Sequence, residues 1–170
     1  MSHLTNIVVL PATRRLELNA FIADTGDVVL VPLPAPAPGT TALTFAFLPN
    51  DAANDVVVEA SLFAVPPART AALSVYFATV ASQYKGITWM IDGGVAFACI
   101  HVDLSYAADA PAAVAAAFER LAHALGDTYA EITRIVTGAR KRRSRVEREA
   151  ARIVAPFNEP APVSRPVCRA

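Results

Sequence analysis

A chain of 170 residues with 54% hydrophobic side chains is long enough for one domain with a real core and too apolar to be disordered over most of its length. No stretch reaches the roughly 18 consecutive apolar residues of a membrane span, and Met1 to Asn6 lack the basic region and cleavage site of a secretory signal. The composition therefore predicts a soluble cytoplasmic protein.

The net charge of zero hides a segregation. Residues 1 to 133 carry five basic and twelve acidic side chains, a net charge of minus seven. Residues 134 to 152 carry eight basic and two acidic ones, a net charge of plus six. An acidic body bears a basic arm.

Ile7 to Leu10 is a short apolar run that ends at Pro11. Leu16, Ala20 and Ala23 then share a helical stripe, which predicts a first helix over about Thr13 to Ala23. Asp24 to Asp27 reads as a turn and Val28 to Val31 as a short strand. Pro32, Pro34, Pro36 and Pro38 cannot continue a central strand, so they form a stiff connector.

Thr41, Leu43, Phe45 and Phe47 alternate with Ala42, Thr44 and Ala46; after Pro49 to Asp55, Val56, Val58, Ala60 and Leu62 do the same. These patterns predict antiparallel strands with one strongly apolar face each, forming a meander with the strand at Val28. Pro66-Pro67 ends the third strand. Leu73, Tyr76, Phe77, Val80 and Tyr84 follow at helical spacing, and Gly86 closes that helix.

Ile87, Trp89 and Ile91 precede Asp92-Gly93-Gly94, and the apolar run Val95 to Leu104 follows. A glycine-containing break between two β-prone runs is the sequence of a tight hairpin. Because Val95 to Ile100 is apolar on both faces, it predicts a strand covered on both sides. Asp109 and Pro111 open the next helix, whose stripe is Val114, Phe118, Leu121 and Leu125. Gly126-Asp127 either breaks this helix, with Thr128 and Glu131 as a capping box for a restart, or bends it.

Sites of chemistry are sparse. His101 and Asp103 stand two apart on one strand face, yet no serine, cysteine or further acid is placed to complete a nucleophilic set, so a structural histidine is the favoured reading. Cys99, in a strand, reads as a small buried hydrophobe; Cys168 lies in a proline-rich tail without an assigned role. Neither has a partner at metal-ligand spacing, so the expectation is no catalytic residues, no metal and no cofactor. From Gly138 the apolar stripe is lost, and Arg140, Lys141, Arg142, Arg143 and Arg145 form a dense basic run. That run is either a solvated helical extension or a phosphate-contacting arm on nucleic acid. The expected organisation is a single α+β domain over 1–137, a basic helical extension over 138–155 and a disordered proline-rich tail over 156–170.

The expected fold is α+β, in the order α-β-β-β-α-β-β-α, with an antiparallel sheet and helices mainly on one face. This order resembles the type III secretion chaperone-like fold, which includes the YbjN-like proteins described as bacterial sensory transduction regulators. The likeness covers about Thr13 to Ile135 and rests on the meander Val28 to Phe63, the helix Arg69 to Tyr84, the segment Gly86 to Phe97 and the alanine-rich helix ending Asp127-Thr128-Tyr129. It departs in one respect, since members carry an asparagine late in the middle helix and Ala78 to Ser82 offers none.

The resemblance implies a non-enzymatic homodimer that binds a protein partner. It places the dimer interface on the middle helix and adjoining hairpin, here Leu73, Tyr76, Phe77, Val80 and Trp89. Apolar patches on the sheet and first helix, here Leu43, Phe45, Phe47 and Leu16, would hold the partner. Exposed together, the three sheet residues would exceed the apolar patch a monomer tolerates. The alternative is a regulatory protein that contacts nucleic acid through Arg140 to Arg145.

Overall fold

The Asp92 to Val95 break is a two-residue hairpin in the computed structural model of the chain, which describes residues 2–33 and 43–138. Gly93 and Gly94 have φ of 53° and 78°, the left-handed pair that matches a turn to the twist of its strands. The turn joins β5 (Thr88–Asp92) to β6 (Val95–Asp103). Ahead of them come β1 (Phe21–Ile22), β2 (Val29–Leu33), β3 (Leu43–Asn50) and β4 (Asp55–Ala64).

All six strands form one antiparallel sheet in the order β1-β2-β3-β4-β6-β5. The chain leaves β4, runs through α2 (Pro67–Gln83), reaches the sheet edge as β5 and turns back so that β6 lies beside β4. The architecture is thus α+β, as the hydrophobic periods predict.

The N-terminal helix differs from expectation. A π-helical turn at Thr5–Val9 runs straight into α1 (Leu10–Arg15), and the stretch expected to end the helix contains β1 instead. The Leu10 N–H bonds to the Thr5 carbonyl, five residues back. This widened turn precedes Pro11, which has no N–H to give to a regular ladder. Leu4, Val8 and Ala12 are buried at four-residue spacing, which explains why the helix starts early. It stops in a Schellman motif: Leu18 N–H reaches Thr13 O at 3.0 Å and Glu17 N–H reaches Arg14 O at 3.1 Å. The left-handed position, usually glycine, is Glu17 with φ 53°.

Two prolines lie within strands rather than ending them. Pro32 is in β2 and pairs with Thr44, beyond the two residues of β2 that β1 covers. Pro49 is in β3 beyond the last pair with β2, Val29–Phe47. Each stands where the sheet has a neighbour on one side only, which is where a missing donor is tolerated. The connector from Pro34 to Pro38, the basic extension beyond Gly138 and the tail lie outside the described residues. The compact unit runs from Met1 to Ala139.

The third helix, α3 (Ala110–Thr137), passes through Gly126 without a break. Asp109 caps it, its carboxylate accepting the Ala112 N–H at 2.9 Å and the Arg15 guanidinium at 3.0 Å. The backbone N–H first and Arg15 second hold the Asp109 carboxyl below the usual aspartate range.

Aromatic contacts fix the helices to the sheet. The Phe118 ring lies 4.9 Å from Phe45 and 5.9 Å from Phe47. Phe63 meets Tyr129 at 4.9 Å, and Phe77 meets Trp89 at 5.5 Å. All of these contacts are on one side of the sheet, which is the core side. No helix among the described residues is long and apolar enough to cross a membrane.

Candidate protein-binding surface

Residues directly opposite each other in antiparallel strands point to the same side. Val56, Val58 and Ala60 of β4 and Ala96, Ala98 and Ile100 of β6 are buried beneath the helices. The intervening residues therefore form the outer face. Its central row crosses all six strands: Phe21, Leu30, Ala46, Glu59, Cys99 and Thr88. The next row is Pro32, Thr44, Ser61, Phe97 and Met90. Among the described residues no element is layered over this face: Thr44, Ser61, Thr88 and His101 are exposed, Met90 is 41% exposed and Phe21 51%.

This corrects the expectation that β6 is covered on both faces. Cys99 is nonetheless buried, and that burial, with the nearby Glu59 charge, raises its thiol pKa. An inert small hydrophobe is what this environment makes of it. Glu59, directly across from Cys99, has its carboxyl pushed above the usual range by desolvation.

The expected partner-binding residues lie elsewhere. Leu43, Phe45 and Phe47 are 6%, 0% and 0% exposed, and the two phenylalanines pack against Phe118 of α3. The cover that this stripe demands is supplied by Phe118 of the same chain. Leu16 is half-buried against the same core.

Of the expected interface residues, Leu73, Phe77 and Val80 are buried. Tyr76 and Trp89 pack partly buried against the core. The outward side of α2 is instead Ala71, Ala72, Val75, Ala78 and Thr79. The Trp89 indole Nε1 is buried and finds no acceptor among the described residues. Arg140, Lys141, Arg142, Arg143 and Arg145 lie outside the described residues.

His101 and Asp103 share the outer face without forming a pair. Asp103 accepts the Ser105 N–H at 2.8 Å, and that backbone bond, then the Ser105 hydroxyl, lowers its pKa. His101 has its Nδ1 3.9 Å from Asp55 and its side chain is 68% exposed. It stands on an open sheet face, with Asp55 at the outer limit of ion-pair distance. Among the described residues no three histidine, cysteine or acidic side chains are grouped to hold a metal. A polar cleft lined by Ser2, Asp27, Pro49, Asn50 and Asp51 does exist. The Asp51 carboxylate in it is already engaged by the start of the N-terminal helix.

Comparison with protein-family models, curated proteins and solved structures gives no match.

Proposed function

We propose that the chain is a non-enzymatic, cytoplasmic, homodimeric chaperone-like or adaptor protein that works by association with other polypeptides. The observation that supports this reading is the unlayered outer face, where Phe21, Leu30, Phe97 and Met90 lie on a sheet whose helices all occupy the opposite side. A face that exposes Phe21 and Met90 beside the partly buried Leu30 and Phe97 supports the reading of an interaction surface. Light scattering at micromolar concentration tests it. A particle of about twice the 18.0 kDa chain mass is expected, and a strict monomer contradicts the reading.

A further inference from the structure

We infer that the basic run Arg140 to Arg145 is a second binding site, whose ligand is the phosphate backbone of a nucleic-acid duplex, held without regard to base sequence. This goes beyond the association reading and does not depend on it.

Residues 140 to 152 carry seven basic side chains against Glu147 and Glu149, and six of the seven are arginines. A guanidinium offers a planar fork of donors that matches a phosphate two bonds at a time, where a lysine is a point charge. A duplex sets out one negative charge per roughly 1.7 Å of its axis. Five cations at positions 140, 141, 142, 143 and 145 therefore displace several condensed counterions together.

The domain before the run offers a polyanion little. Its described residues carry twelve acidic and six basic side chains. Four of those six cations are engaged. Arg15 pairs with Asp109 at 3.0 Å, Arg134 pairs with Glu131, and Arg120 donates to the Lys85 carbonyl at 3.1 Å. Arg69 lies against the end of α3, where a Cβ added at Gly138 would collide with its guanidinium. Gly138 closes α3 at φ 70°, so the apolar stripe of that helix ends before Arg140. From Arg140 to Arg152 the apolar residues are Val146, Ala150 and Ala151, too few for a core-facing stripe.

Composition selects among anionic ligands. Residues 140 to 152 contain no Phe, Tyr, Trp or His, the side chains on which single-stranded nucleic acid stacks its bases. They also lack the Trp, Phe or Leu that a membrane-surface segment buries among lipids. Contact with duplex phosphates needs neither.

The test is fluorescence anisotropy of a labelled DNA duplex of about 20 base pairs, titrated with full-length protein, with circular dichroism melts to check folding. The expected result is a micromolar dissociation constant at about 50 mM salt, with log K falling against log salt at a slope of about −3 to −5. The triple variant Arg142→Glu, Arg143→Glu, Arg145→Glu should weaken binding at least tenfold and flatten the slope. The double variant Arg140→Glu, Lys141→Glu should do the same from the other end of the run. Arg14→Glu, at an exposed cation of α1, should change affinity less than twofold. Absence of duplex binding at low salt, binding that withstands both arm variants, or a single strand bound as tightly as the duplex overturns the inference. So does capture by phosphatidylserine vesicles with none by the duplex. Each of these outcomes leaves the light-scattering result on association untouched.

Discussion

Asp51, in the turn between β3 and β4, accepts the backbone N–H of Leu4 at 2.9 Å across 47 positions of sequence. The same carboxylate takes the His3 N–H at 2.9 Å and the Ser2 hydroxyl at 2.7 Å. The first N–H groups of the N-terminal helix, which have no partners within the helix, are thus satisfied from the sheet. Asp51→Ala should lower the melting temperature by several degrees and speed hydrogen exchange at Val8 and Val9. The Leu4 N–H, then the Ser2 hydroxyl and the His3 N–H, depress the Asp51 pKa. Its stabilisation is therefore present above the unfolded carboxylate pKa of about 3.9 and lost as pH falls through the lower folded value. The gap between wild type and variant should close in melts below about pH 4.

Glu17 occupies the left-handed position of a Schellman motif, where a side chain with a Cβ is disfavoured. Glu17→Gly should stabilise the chain by about 0.5–1 kcal/mol in urea unfolding.

Gly126 presents the opposite case. It lies inside α3, and a Cβ added there meets nothing within 4 Å. Gly126→Ala should raise stability by about 0.5–1 kcal/mol, because alanine loses less backbone freedom on entering a helix.

Phe118 is the side chain that covers Phe45 and Phe47. Phe118→Ala should cost about 3–5 kcal/mol, read as a fall in the urea midpoint. The same variant should bind a hydrophobic dye if the sheet loses its cover.

Glu59 has a pKa raised by desolvation on the outer face. An acid whose folded pKa is raised opposes folding above that value, and the penalty is relieved as pH falls below it. Glu59→Gln should therefore raise the melting temperature at pH 7 by on the order of 1–2 °C and give little or no gain at pH 4.

Much of the layout is legible from periodicity. The alternation in β3 and β4, the break at Gly93-Gly94 and the stripes of α2 and α3 each correspond to an observed element. The N-terminal helix is misread because both of its boundaries are set by features a local pattern lacks. Its start is capped by Asp51 from far along the chain, and its end is formed by a glutamate in a position that glycine normally announces. Strand order is equally invisible, since nothing local to β6 says that it lies between β4 and β5.

The candidate surface is missed for a related reason. A period of two separates the faces of a strand but does not say which one the chain's own helices cover. Leu43, Phe45 and Phe47 form the stronger apolar stripe and so attract attention, yet strength of stripe is what identifies the core. The open face carries the weaker mixture of Ala46, Glu59, Ser61 and Phe97.

The position of β6 also governs how the molecule comes together in time. Its ladder with β4 joins Ala64 to Val95 and Asp55 to Asp103, so its partners are 31 to 48 residues apart along the chain. Such pairings close late, after the entropy of the intervening loop has been overcome. A nascent chain released only as far as β5 has half of β4's hydrogen-bonding edge unmatched, and the β5–β6 hairpin must form and swing in as a unit. Assembly of the sheet accordingly waits until the chain has emerged through Asp103, the last residue of β6.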